Sequence, residues 1–360
     1  MEDLYAAGDR EITVLDSLTE QVHGPRPEAS GLFRRIRGKC RFIRGDLRDS
    51  AALRAALPGN DCVLHLAAET GTGQSMYELR RYCEANVTGT AALLEAAAEQ
   101  GVKKLVLASS RAVYGEGKYL CDDCGAVYPP PRSAKRLRRG DFGMYCPRCG
   151  RSVRPLPTDE ESPARPASVY ACTKLAQEQL VRTVCTAIGA EYTILRFQNV
   201  YGPGQSLHNP YTGILSLFTA RLLADLPVDV FEDGRESRDF IHVRDISAGV
   251  IAALSAGNGS VINLGSGQAV GVLEAAEKLR GLCRSRGEVR VTGEGRLGDI
   301  AHCRADIRRA EVLLGFRPRI ALDEGLAELC RWAASERYDP DGYDRSLAEL
   351  RERGMFITEA

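Results

Sequence analysis

Tyr170 and Lys174 stand four residues apart in the segment SVYACTKLAQEQL, so a helix places them on one face, one turn from each other. A phenol with a pKa of about 10 is a poor base at neutral pH, and a neighbouring ammonium favours the phenolate that proton transfer requires. With 13 tyrosines in the chain the Y-x-x-x-K spacing alone is weak, and a second instance exists at Tyr114 and Lys118. That second instance fails on context. Gly115 and Gly117 lie between its members and disfavour a helical turn, whereas the residues around Tyr170 are good helix formers.

A second group has metal chemistry. Cys121-Asp-Asp-Cys124-Gly and Cys146-Pro-Arg-Cys149-Gly are two C-x-x-C-G units with 21 residues between Cys124 and Cys146. Such a pair lets four thiolates close tetrahedrally on Zn²⁺, the glycine permitting the turn after each. A redox pair or four unliganded thiols are the alternatives. Between the two units runs the basic stretch Ser133 to Arg139 (SAKRLRR). It reads as a solvated loop, with a phosphorylated-substrate anchor and a nucleic-acid contact as alternatives. The absence of interleaved aromatics and the net charge of zero weigh against nucleic acid.

The elements that must position these residues follow from composition and periodicity. The chain has 360 residues, 44% apolar and 27% charged, as in an ordinary soluble domain or two lobes sharing a core. No stretch reaches the roughly 20 apolar residues of a membrane span, and MEDLYAAGDR has no signal core, so no membrane partner and a cytoplasmic location are expected. Four of the twelve cysteines fall in C-x-x-C pairs, which points to a reducing compartment; the other eight, Cys40 and Cys62 among them, read as small buried hydrophobes.

Short apolar runs alternate with helical patterns over the first two-thirds, the signature of βαβ units and a doubly wound parallel sheet. Strands are expected at Glu11 to Asp16, Arg41 to Gly45, Asp61 to Ala67, Lys104 to Ser109 and Tyr192 to Phe197. Helices are expected at Ser50 to Leu57, Glu78 to Gln100 and Ser168 to Ile188. Beyond Gly202 come helices at Thr212 to Ala224, Val243 to Ala256, Val272 to Arg284 and Leu322 to Ala334, with short strands near Val228 and Phe240. The resulting division is a Rossmann-like domain over 1–202, a smaller lobe over 203–335 with segments returning to the core, and a charged helical tail over 336–360 lying on the surface. Ser110 and Tyr170 are 60 residues apart, and the segment 117–157 reads as an inserted zinc ribbon.

In order along the chain, Ser109-Ser110 is followed by RAVYG, and a later strand ends in RFQNVYGP at Arg196 to Pro203. With GDLRD from Gly45, VLHLAA from Val63, N-x-x-G-T from Asn86, RDFIHVRD from Arg238 and RLGDI from Arg296, the chain resembles the extended short-chain dehydrogenase/reductases, in particular the nucleotide-sugar epimerases and dehydratases. The segments GTGQSMY at Gly71 to Tyr77 and NPYTG at Asn209 to Gly213 are most similar to the dTDP-L-rhamnose 4-epimerase branch.

The resemblance implies NAD as cofactor, a nucleotide sugar as substrate and a homodimer. It implies that Ser110, Tyr170 and Lys174 are catalytic, that Asp16 binds the adenosine ribose, that Asp46 and Leu47 meet adenine, and that Ala67, Asn86, Tyr170 and Lys174 hold the rest of the cofactor. A carboxylate at Asp16 favours NAD over NADP. Gln74, Ser75, Asn199, Asn209, Arg238 and Arg296 map onto substrate-binding positions, the last two suited to a diphosphate. Dehydratases of this kind carry Asp-Glu after the catalytic hydroxyl, where this chain has Arg111 and Ala112. That favours 4-epimerisation of a dTDP-deoxysugar, with ketoreduction, dehydrogenation or dehydration as alternatives.

The chain departs from the pattern at its start. A dinucleotide-binding domain opens with a strand and G-x-x-G-x-x-G, whose amides hold the pyrophosphate; here MEDLYAAG resembles the end of the first helix. The Rossmann-like sheet is therefore expected to lack its first strand. A misassigned start is one expectation; a degenerate chain acting as a noncatalytic binding protein is the other. Retention of Ser110, Tyr170 and Lys174 together favours the enzyme.

Overall fold

A computed structural model describes residues 1–357 apart from 7, 9, 212, 337, 339 and 340. Six strands form the core: β1 (Thr13–Asp16), β2 (Arg41–Arg44), β3 (Cys62–His65), β4 (Lys104–Ser110), β5 (Glu191–Phe197) and β6 (Ser260–Leu264). All pair in parallel, in two sheets: β1 with β2, and a four-stranded sheet in the order β6-β5-β4-β3. Among the described residues β1 and β3 are not bonded to each other, and each has a partner on one edge alone.

Strand β4 is the axis of the larger sheet, and its alternation explains why its sequence is continuously apolar. Leu105 and Leu107 face one cluster with Leu94, Val181 and Ile194, while Val106 faces the other with Leu195, Ile246 and Ile262. At β1 and β2 the expectation of strands covered on both faces fails. Their residues are half-buried or exposed, because the sheet is interrupted between β1 and β3.

The helix Val169–Ile188 carries the Y-x-x-x-K pair. Ser168 caps it by accepting from the Ala171 N–H at 3.2 Å, and Gly189, at φ 72, ends it in the left-handed conformation. The helix expected over Glu78 to Gln100 is divided into Leu79–Tyr82, a π-helical stretch Cys83–Thr88 and Gly89–Glu99. The widened turn carries Asn86, which is fully buried with its amide bonded to Glu69 and to Thr173 Oγ1.

The second lobe packs Leu215, Phe218, Leu222, Val228, Leu279, Leu326 and Leu329 into one core, and β6 returns from this part of the chain to the main sheet. Its first helix is Ile214–Leu223; the expected start at Thr212 lies outside the described residues. The tail departs from expectation. Its helix Gly342–Glu352 buries Tyr343, Leu347 and Leu350, an i, i+4, i+7 stripe hidden among charges, and Phe356–Ile357 pairs antiparallel with Gly295–Arg296. Residues 358–360 lie outside the described part.

All twelve cysteines are free. Of the eight outside the C-x-x-C pairs, Cys185 and Cys330 are buried, four are partly buried, and Cys83 and Cys172 are exposed because they lie on helix faces turned to solvent, contrary to the uniform reading as core residues. Within 117–157, the strands Tyr119–Cys121, Gly125–Val127 and Arg154–Pro155 make a small antiparallel sheet. Its core of Tyr119, Cys121, Val127, Met144 and Cys146 packs against Ala301 of the second lobe.

Candidate active site

The helix Val169–Ile188 lies along the end of β4 and presents Tyr170, Lys174 and Glu178 at i, i+4 and i+8. Ser110, the last residue of β4, stands close enough to the Tyr170 phenol to lower its pKa, and its hydroxyl accepts from the Ala112 N–H at 3.2 Å. Lys174 is buried, and its Nζ donates to the Ala108 carbonyl at 2.9 Å. The three expected catalytic side chains therefore meet at one strand end.

Their electrostatics differ from expectation. Burial lowers the Lys174 pKa to about 8, with Glu178 opposing the shift. Burial also raises the Tyr170 pKa, against the pull of the Ser110 hydrogen bond and of the Arg111 guanidinium. Arg111 is thus the cation that pulls the phenol's pKa down, while the Lys174 ammonium is turned to the Ala108 carbonyl. Glu178 is held by Arg196 at 2.9 and 2.7 Å and by the Ser109 hydroxyl, which fixes the helix against β4 and β5. Tyr114, the other Y-x-x-x-K tyrosine, is buried in a 3₁₀ turn and donates to Asn263 Oδ1 at 2.8 Å; burial pushes its pKa up. It has no route to a proton-transfer role.

The expected substrate residues form two groups. Gln74 and Asn209 both accept from Gln21 Nε2, at 3.0 and 3.3 Å. Ser75 is fully buried, its hydroxyl accepting from the Tyr170 N–H at 3.0 Å and donating to the Thr72 carbonyl at 2.7 Å, so it seats the first turn of the catalytic helix. In the second lobe Arg238 donates to the carbonyls of Ser237 and Ala301, and Arg296 pairs with Asp299 at 2.8 Å while stacking on Phe231. Asn199 Oδ1 is buried without a partner.

Three residues were given no role in the site from the sequence. Arg111 follows Ser110 directly and bears on Tyr170, Arg238 and Cys303, so adjacency to the catalytic serine was an available signal. Glu236 lies two residues before Arg238, buried with Oε2 unpartnered. Arg132 sits in the insertion and is joined to Glu116 and Glu232, partners 16 and 100 residues away that no local pattern reveals.

A family profile described as the NAD dependent epimerase/dehydratase family matches residues 1–134 and 148–265. The chain belongs to this family. It is 37% identical over 343 residues to a dTDP-L-rhamnose 4-epimerase of Burkholderia thailandensis, covering 93% of this chain and 91% of that protein. A dTDP-glucose 4,6-dehydratase of Actinoplanes is 28% identical over 82% of this chain and 80% of its own length. Among solved structures, the UDP-glucose 4-epimerase of Thermus thermophilus in complex with NAD superposes with a TM-score of 0.71 at 26% identity, over 93% of this chain and 94% of that one.

The residues present fit the two ends of NAD. At the adenosine end Asp16 closes β1, its Oδ1 accepting from the Leu18 N–H at 2.7 Å, and Asp46 follows β2 with its pKa lowered chiefly by its hydrogen bond to Arg48. Leu47 is half-buried next to it, and Gly89 packs on its Cβ. At the other end, beyond β3, Ala67 and Leu66 are exposed, and two residues on, Glu69 is bonded to Asn86, whose amide also reaches Thr173 of the helix that carries Tyr170 and Lys174. Among the described residues no glycine-rich turn serves the diphosphate between these ends.

The four cysteines of the insertion are brought together, with all four sulfurs within 4.8 Å of one another and Cys121 Sγ 3.5 Å from Cys149 Sγ. A tetrahedral Zn²⁺ with bonds of about 2.3 Å separates its sulfurs by about 3.8 Å, so the four thiols have the chemistry and the approximate spacing to take such an ion. The clustered thiols share their protons unequally: against burial, the N–H groups of Cys149 and Arg148 and the neighbouring thiols bring Cys146 down to about 6, while Cys124 is pushed up to about 12 by Cys149 and its other neighbours, and Cys149 is raised. Among the described residues no helix is long and apolar enough to cross a membrane.

Proposed function

We propose that this protein is an NAD-dependent nucleotide-sugar 4-epimerase, with a dTDP-deoxysugar as substrate. The observation that carries this reading is the setting of Tyr170. It lies beside Ser110 at the end of β4, on the helix face that carries Lys174, and the Arg111 guanidinium pulls its pKa down. Elimination of water from the sugar needs an acid and a base beside the reacting carbons, and the two positions after Ser110 hold Arg111 and Ala112 instead. This separates the reading from the 4,6-dehydratases that are also relatives.

In the reaction Tyr170 Oη takes the proton of the sugar 4-hydroxyl while Ser110 Oγ holds that oxygen. The phenolate is stabilised by Ser110 and Arg111, and Tyr170 returns the proton once C4 has inverted. Lys174, Asn86 and Asp16 would hold NAD, which when bound supplies the hydride acceptor and donor for C4. Arg238 and Arg296 would hold the substrate's diphosphate, and Asn199, Gln74 and Asn209 its sugar side. The division into a 1–202 cofactor domain and a 203–335 substrate lobe is consistent with this assignment, and by family resemblance the protein works as a cytoplasmic homodimer.

The insertion is proposed to be a zinc ribbon, with Cys121, Cys124, Cys146 and Cys149 holding one structural ion. The gathering of four cysteine sulfurs supports a closed site. Incubation with NAD and dTDP-L-rhamnose, followed by NMR of the sugar ring, tests the activity. Appearance of the C4 epimer supports the reading; a 4-keto-6-deoxy product from dTDP-glucose, or no turnover together with tight nucleotide-sugar binding, assigns the protein instead to a dehydratase or to a noncatalytic binding role.

A further inference from the structure

Resting on the nucleotide-sugar reading, we propose that Arg132, carried by the cysteine-bearing insertion, is a positioning residue for the substrate's diphosphate. It fixes the short segment Asp299–Ala301, from which both arginines of the anion site are held.

The connections run through buried groups. The Arg132 side chain is 1% exposed and those of its partners Glu116 and Glu232 are 0% and 3% exposed, so this is an ion triad withdrawn from water. Arg132 Nε donates to Glu116 Oε1 at 3.3 Å, one terminal nitrogen donates to Glu232 Oε2, and the other donates to the Asp299 carbonyl at 3.2 Å. Glu116 Oε2 accepts from the Ala301 N–H at 2.9 Å. Both ends of the segment are thereby tied to the triad.

The same segment holds the anion site. The Ala301 carbonyl accepts from Arg238 at 3.0 Å, and the Asp299 carboxylate accepts from Arg296 at 2.9 Å. A guanidinium orients a diphosphate only if its own planar fork is fixed, and the two forks here are fixed by atoms that Arg132 and Glu116 hold in place. The insertion adds a second support, since Tyr119 packs edge-on against His302 and its apolar core covers Ala301. Glu232 adopts a left-handed φ of 52 as a non-glycine residue, a conformation kept by its place in the triad.

Removing one partner of a buried triad leaves the others uncompensated, so the geometry of 299–301 should relax. The test measures binding of dTDP-glucose and UDP-glucose by calorimetry to full-length wild type, Arg132→Met, Arg132→Lys, Glu116→Gln, Arg238→Met and the Arg132→Met/Arg238→Met double variant. Arg132→Met should weaken binding by about tenfold or more, and Arg132→Lys, which keeps the charge but loses the fork, should recover part of it. In the Arg238→Met background the further loss should be smaller, because one of the two positioned groups is gone and Arg296 alone remains.

Equal affinity in wild type and Arg132→Met overturns the proposal, and so does a fully additive double variant, which would mark a general loss of stability. If Arg132→Met does not fold, Glu116→Gln decides: weaker binding supports the brace and unchanged binding refutes it. If wild type binds neither nucleotide sugar, the functional reading fails first and takes this inference with it.

Discussion

Glu236 gives the anion site a pH dependence whose sign and size follow from its surroundings. Burial is the main influence on its carboxyl, followed by the like charge of Glu232, and the two together raise it from 4.5 to about 7 despite the opposing pull of Arg238. Its charge also bears on both Arg238 and Arg296, the pair expected to hold the diphosphate. Below pH 7 the side chain is neutral and the two arginines face an incoming anion without competition. Above pH 7 a carboxylate with an unpartnered oxygen stands in the same field, so a bound diphosphate and an ionised Glu236 repel.

Nucleotide-sugar affinity should therefore be level at low pH and fall as pH rises through 7. If the complex keeps the proton throughout, the dissociation constant grows tenfold per pH unit, reaching about thirtyfold at pH 8.5 relative to pH 6. The ligand's diphosphate keeps a constant charge over this range, and His302, lowered to about 4 by burial, stays neutral. Calorimetric titration of dTDP-glucose from pH 6 to 8.5 measures the slope. Glu236→Gln should bind like wild type at pH 6 and show no slope. A level profile in wild type, or the same slope in Glu236→Gln, refutes the reasoning.

Tyr170→Phe should lower turnover about 10²-fold or more with nucleotide-sugar affinity little changed, whereas Tyr114→Phe should leave turnover intact and cost about 1 kcal/mol of stability through its lost bond to Asn263. Comparable turnover in wild type and Tyr170→Phe would reverse the assignment. Purified protein should contain close to one equivalent of zinc, and Cys146→Ser should lose it and melt earlier; zinc content below about half an equivalent, or unaffected by the substitution, removes the metal site. NAD should bind the 360-residue chain weakly in calorimetry, and grafting a strand and glycine-bearing turn ahead of Met1, able to bond between β1 and β3, should tighten it. Tight stoichiometric NAD in the ungrafted chain would mean that another segment serves the diphosphate.

What the sequence revealed is what local pattern encodes. The five core strands expected from the sequence came out within two residues of their ends because each is a short apolar run bounded by turn residues, whereas β6 was not expected, and the helix at Tyr170 came out because Ser168 and Gly189 bracket it. Long-range electrostatics was less legible. The ammonium of Lys174 is turned to the Ala108 carbonyl, so the expected relief of the phenol is supplied by Arg111, a residue recognised only for what it replaces. The break of the helix at Asn86 was hidden for the same reason, since the groups that draw Asn86 inward are Glu69 and Thr173, 17 and 87 residues away.

The anion site shows the limit most clearly. Arg238 and Arg296 are visible as residues in recurring motifs, but their support comes from two remote pieces of chain that carry no motif for it. Arg132 reaches Asp299 from the insertion, Leu137 of the same insertion lies against Gly295, and Phe356–Ile357 of the tail pairs with Gly295–Arg296. The tail looked like a surface helix because its buried stripe is short and its other residues are charged, and the insertion looked like a self-contained metal knuckle because its cysteines are self-explanatory. Each instead closes on the one strand that presents Arg296. Chemistry concentrated in a few side chains at one strand end can be read from spacing, whereas the rigidity that makes two arginines a binding site is a property of contacts between segments far apart along the chain.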